Sequence, residues 1–211
     1  MILLPIFAIE MEDLNIDIFN LLDNQPQPAR GSLIIAKPTV EDFCFKRSVS
    51  VLVDHDDENG SMGLIVNRPT GVFLNDVLPE LDYHEEIPLY LGGPVGTEML
   101  FFLHSLGTDA IPESVQVAPD VFYGGDFEAL KMYISSGNPV AGKVKFMVGY
   151  SGWSKEQLND ELNRHDWAVL KENVAQLVFD TGDDNIWENA VALFGEHYRL
   201  WRNWPTDVSM N

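Results

Sequence analysis

Apolar and polar positions alternate at short intervals through most of this chain, a pattern that predicts many brief strands with a few helices among them. Ser48 to Asp54 reads Ser-Val-Ser-Val-Leu-Val-Asp, a β-branched run with the character of a strand. The polar stretch His55-Asp56-Asp57-Glu58-Asn59-Gly60 supplies turn residues, and Met62 to Asn67 is the predicted return. This is the clearest hairpin in the chain. Further strands are predicted over residues 32–36, 87–91, 99–104, 115–117, 121–123, 143–148 and 176–179. Asp126 is placed to cap a helix carrying Phe127, Leu130 and Ile134 on one face and ending at Gly137. Ser154 and Gln157 have capping-box spacing ahead of Leu158 and Leu162, which predicts a helix over 154–164. Asp183 or Asp184 is expected to cap a last helix bearing Trp187, Ala190, Val191 and Phe194, closed by Gly195.

Short strands in succession, with helices inserted late, argue for an α+β fold with a mostly antiparallel sheet. The regular strand–helix alternation of a doubly wound fold is absent. A chain of 211 residues with 45% apolar positions fits a single domain, placed here at 31–211. Residues 1–30 read as an N-terminal extension. Leu14, Ile18, Leu21 and Leu22 give it an amphipathic helix over 12–22, followed by the extended linker Gln25-Pro26-Gln27-Pro28-Ala29-Arg30. That helix is expected to dock on the body or to form a homodimer with a second copy. The first ten residues lack the basic start of a signal peptide and the length of a membrane span, so no membrane association is expected, and Met11 is the expected native start.

Charge narrows the partners. Thirteen Lys and Arg against 33 Asp and Glu give a net charge of −20, with the basic residues scattered. Such a surface repels a phosphate backbone, so no direct nucleic-acid binding is expected. The single cysteine, Cys44, excludes an internal disulfide, suits a reducing cytoplasm, and reads as a small core residue between Phe43 and Phe45.

Glycine clusters punctuate three apolar runs, at Gly92-Gly93-Pro94-Val95, at Gly149-Tyr150-Ser151-Gly152-Trp153 and within Ser61–Pro69. They mark backbone that turns sharply or is closely approached. The second comes near the nucleophile elbow Gly-x-Ser-x-Gly, but Trp153 takes the place of its last glycine, so the stretch reads as a strand-to-helix turn in which Ser151 or Ser154 caps the helix. The acidic turn around His55 fails the calcium-loop pattern at Asn59 and Ile65, and no metal site or cofactor is expected. His104 reads as a satisfied, half-buried histidine.

Gly31-Ser32-Leu33-Ile34-Ile35-Ala36 with Pro38 opens a series of segments. It continues through Phe45-Lys46-Arg47-Ser48-Val49, His55, Gly60–Asn67 with Pro69, and Gly92-Gly93-Pro94-Val95. It ends with Gly149–Trp153, Gln157-Leu158, Glu161-Leu162 and Trp167. In this order, over about residues 31–195, they resemble the AlgH/YqgE family of bacterial proteins. The resemblance implies an α+β fold whose bifurcated, mostly antiparallel sheet closes into a pseudo-barrel with flanking helices, in a cytoplasmic protein. Some members are labelled transcriptional regulators. The family has no agreed catalytic residues, so none carries over.

Two functional readings follow. The first is a non-enzymatic binding or adaptor protein with a protein partner, using the N-terminal helix and the aromatic tail of Tyr198, Trp201 and Trp204. The second is a small-molecule-binding protein or enzyme with a pocket between the Gly92-Gly93 and Gly149–Trp153 turns. Its candidate ligand-binding residues are Asn67, Arg68, Gly92, Gly93, Trp153 and Glu161. It requires the two turns to meet in space.

Overall fold

The computed structural model describes residues 25–204, apart from 57, 80, 82, 84, 183, 184, 196 and 197. The helix expected over 12–22 and the capping role of Asp183 or Asp184 fall outside these residues. The strands are β1 (Leu33–Ala36), β2 (Val49–Asp56), β3 (Gly60–Ile65), β4 (Pro69–Phe73), β5 (Pro88–Leu91), β6 (Val95–His104), β7 (Val115–Ala118), β8 (Val121–Tyr123), β9 (Val144–Trp153) and β10 (Trp167–Leu170). The helices are α1 (Leu74–Val77), α2 (Phe127–Ser135), α3 (Gln157–Asn163), α4 (Val174–Val178), α5 (Ile186–Ala192) and α6 (Arg199–Arg202). The fold is α+β, as its strand-rich pattern predicts.

One sheet runs β10-β1-β2-β3-β9-β6-β8-β7, and β5 joins it as a third neighbour of β9, carrying β4 outside it. Every pairing is antiparallel except β5 with β9. The sheet forks at β9. Its first half lies between β6 and β5 through Phe146–Val148, while Ser151–Trp153 pair with β3. The far strand β7 curls back until a Cβ on Gly31 would stand 2.0 Å from the Val117 carbonyl oxygen, which gives the sheet its barrel-like closure.

Alternating residues of β1 show why the strands are so apolar. Leu33 and Ile35 face the barrel interior with Val51, Leu64, Leu103, Met147 and Trp187. Ile34 and Ala36 face the other way, onto Leu52, Trp153, Leu158 and Trp167. Both faces of this part of the sheet are covered, so its strands carry continuous apolar runs. A third cluster packs α2, through Leu130 and Ile134, onto Phe102 and Phe146. Asp126 caps α2 as expected, accepting from the backbone N–H groups of Glu128 and Ala129.

Several elements differ from expectation. Of the residues predicted as a strand at 176–179, Gln176–Val178 belong to the short helix α4 and Phe179 follows its end, because Val174, Leu177 and Val178 put one apolar face on the barrel core. Strand β10 was not predicted, being four buried residues without alternation. β9 does not turn at Gly149. It runs through it with that glycine at φ 70°, and Ser151 lies inside the strand. Ser151 therefore caps no helix, and its buried hydroxyl donates to the Gly92 carbonyl at 3.2 Å. Cys44 is partly exposed rather than core. The aromatic tail is mostly internal: Tyr198 and Trp201 are buried, leaving Trp204 exposed.

Candidate functional site

The two glycine segments meet. A Cβ on Gly92 would lie 2.3 Å from the Gly149 carbonyl oxygen, and one on Gly93 would lie 2.2 Å from the Tyr150 carbonyl carbon. Only hydrogen side chains allow the two backbones to touch. The Gly92 carbonyl also accepts from the Ile65 N–H at 2.9 Å, so the junction ties β3, β5 and β9 together. Gly92 and Gly93 are both buried and offer no surface to a ligand.

What the junction does is aim the residues that follow it. Pro94 and Val95 form one wall of an open cleft of about 510 Å³. Gly152 and Trp153 at the end of β9 line it, as do Gln157 and Glu161 on α3, Arg164, Asp166 and Trp167 beyond α3, and Val40, Asp42 and Phe45 from the loop before β2. Of the six candidates, Trp153 and Glu161 face this cleft.

Asn67 and Arg68 do not line it, and they act one layer back. The Asn67 carboxamide accepts from the Val49 N–H and donates to the Arg47 carbonyl, each at 2.9 Å. The Arg68 guanidinium donates to the Lys46 carbonyl at 2.7 Å and to the Cys44 carbonyl at 3.2 Å. Together they clamp the loop that delivers Asp42 and Phe45. Arg47 anchors the same loop from its other side, pairing with Glu188 at 3.1 Å and lying 4.7 Å from the Trp187 ring centre.

Glu161 organises the aromatic wall. One carboxylate oxygen accepts from the indole N–H of Trp153 at 2.8 Å and from that of Trp167 at 2.7 Å. The other accepts from the Gln157 amide at 2.8 Å, which explains the four-residue spacing on α3. With both nitrogens held, the indoles cross edge to face at 5.9 Å, and Phe45 sits 5.6 Å from Trp167 and 6.3 Å from Trp153. Phe45, Trp167 and Asp42 were not among the sequence candidates. A phenylalanine near a lysine–arginine pair and an isolated tryptophan carry no local signature.

Comparison with known proteins agrees with this architecture. A family model described as AlgH-like matches residues 33–199. The chain belongs to the AlgH-like family. A UPF0301 protein of Bacteroides fragilis is 42% identical over 199 residues, covering 94% of this chain and all of the relative. One from Parabacteroides distasonis is 42% identical over 195 residues, covering 92% and 98%. The solution structure of AlgH from Pseudomonas aeruginosa superposes with a TM-score of 0.64 at 29% identity, covering 86% of this chain and 98% of that one. A crystal structure of protein DIP2367 from Corynebacterium diphtheriae shares the fold, with a TM-score of 0.67 at 21% identity over 86% of this chain and 95% of that one. No helix among the described residues of this AlgH-like chain is long and apolar enough to cross a membrane.

His104 lies apart from the cleft. It is fully buried and stacked at 5.5 Å on Phe122, with Nε2 donating to the Gly124 carbonyl at 3.2 Å and Nδ1 accepting from the Leu106 N–H at 3.3 Å. Accepting at Nδ1 requires the neutral ring. Burial holds its pKa below the ordinary 6.5. The unfolded chain therefore takes up this proton first as pH falls through about 6.5, and the native state loses stability from there down to the lowered native value. Urea unfolding followed between about pH 7 and pH 5 should show this acid-side loss, and His104→Gln should flatten it relative to the unaltered protein. Parallel pH profiles would contradict the assignment.

Proposed function

We propose that this AlgH-like protein works as a binding or adaptor protein and that the cleft beside the glycine junction is where it holds its partner. The observation that carries the reading is the convergence of the Gly92–Val95 turn, the end of β9 and α3 around one aromatic wall, with Glu161 fixing both indoles. The wall is pre-organised, so a partner orders few side chains on docking. Catalysis is a weaker reading because Ser151, the residue nearest a nucleophile motif, is buried and hydrogen-bonded to Gly92. A transcriptional role through direct DNA contact is disfavoured by the net charge of −20.

A protein segment suits the site better than an enclosed small molecule. The cleft is open, and Val95 in its wall is 43% exposed. A photoreactive phenylalanine analogue placed at Val95 in the full chain, expressed in the native host, should give discrete cross-linked adducts. The same group at Met132, exposed on α2, should not. Adducts from Met132 with none from Val95 would place recognition elsewhere.

A further inference from the structure

Resting on that binding reading, we infer that the segment held in the cleft presents a cationic side chain, arginine or lysine, flanked by apolar residues. Three carboxylates line the cleft, those of Asp42, Glu161 and Asp166. The one cation in the lining, Arg164, is already paired with Asp166 at 3.1 Å. Glu161 is the telling member. Its charge is held by two indoles and an amide, all neutral donors, and among the described residues no ion pair is made to it. Among the described residues the Asp42 carboxylate accepts from the backbone N–H groups of Cys44 and Phe45.

Beside these charges lies the ring cluster of Phe45, Trp153 and Trp167. Trp153 and Trp167 are buried, so the half-buried Phe45 ring is the aromatic face open to a cation, and the apolar wall accepts the methylene stem of an arginine or lysine. Val95, exposed in the cleft wall, is positioned for an apolar neighbour of that residue. An acidic segment meets repulsion from Asp42 and Glu161. The charge of −20 over the whole chain adds long-range attraction for a basic partner.

The test uses the full chain and two short fluorescent peptides, one alternating leucine with arginine and the other leucine with glutamate, at an ionic strength that screens charges beyond about 8 Å. Anisotropy should rise saturably with the arginine peptide and stay flat with its glutamate twin. Asp42→Asn combined with Asp166→Asn keeps the hydrogen-bond acceptors and should weaken binding about tenfold or more. Asp109→Asn combined with Glu113→Gln removes the same charge from an exposed loop outside the cleft, and should change it by less than about twofold. Equal weakening by the two pairs would reduce the effect to general attraction and overturn the inference. So would the absence of saturable binding. Tight binding of the glutamate twin, lost in Phe45→Ala, would overturn the cationic assignment and leave the binding reading standing. The cross-link at Val95 decides that reading separately.

Discussion

Replacing Gly93 with alanine should cost this protein about 4 kcal/mol or more, enough to leave much of it unfolded or molten at ambient temperature. The added methyl would sit 2.2 Å from the Tyr150 carbonyl carbon and 2.4 Å from the Ser151 nitrogen. Neither is the free end of a flexible side chain; both belong to a strand paired on its two edges. Gly149→Ala should behave alike, since its Cβ would stand 2.4 Å from the Gly93 carbonyl oxygen at a left-handed φ of 70°. Gly107→Ala separates the two causes. Its φ is 81°, yet nothing lies within 4 Å, so only the conformational penalty of about 1–2 kcal/mol should appear. Urea unfolding of the three variants checks the order. A Gly93→Ala protein as stable as Gly107→Ala would mean that the two backbones do not touch.

The second large effect is expected at Glu161. Glu161→Ala removes the acceptor of two indole N–H groups whose tryptophans are 5% and 3% exposed. Each buried donor left without a partner costs about 1–3 kcal/mol, so a loss of about 2–4 kcal/mol is expected once solvent relieves part of it. Glu161→Gln should lose less, about 1–2 kcal/mol, because one oxygen still accepts from the indoles while its new amide faces the Gln157 amide. Chemical denaturation read by tryptophan fluorescence measures both. Equal stability of the alanine variant and the parent would show that the indoles do not depend on this carboxylate, and the account of the aromatic wall would fail with it.

Much of the fold was legible because its signals are local. The β2–β3 hairpin announced itself through β-branched residues around a polar turn, and α2 through Asp126 and its apolar spacing. Where local signals compete, the reading slipped. Val174–Val178 carries helical spacing, but Gln176-Leu177-Val178-Phe179 taken alone looks like a strand, and packing on the barrel decided for the helix. Gly149 was read as a turn because glycine usually breaks a strand. Here it is the point at which a strand passes another backbone at contact distance.

The site divides the same way. Trp153 and Glu161 stood out in the sequence, and the two glycine segments do come together, although the one at Gly149 is strand and not a turn. Arg68 and Asn67 were marked for ligands, yet they bind backbone carbonyls and an N–H of the neighbouring loop, a use that no motif reveals. Phe45 and Asp42 reach the cleft only because that clamp exists.

The central claim is that the cleft is the recognition surface, and the indole N–H signals of the full chain report on it directly during titration with the arginine peptide. Trp153 and Trp167 bond to Glu161 at the cleft, whereas Trp187 bonds to the Ala36 carbonyl inside the core at 2.8 Å. The first two signals should shift together and saturate while that of Trp187 stays fixed. Saturable binding that leaves Trp153 and Trp167 unmoved would contradict the claim.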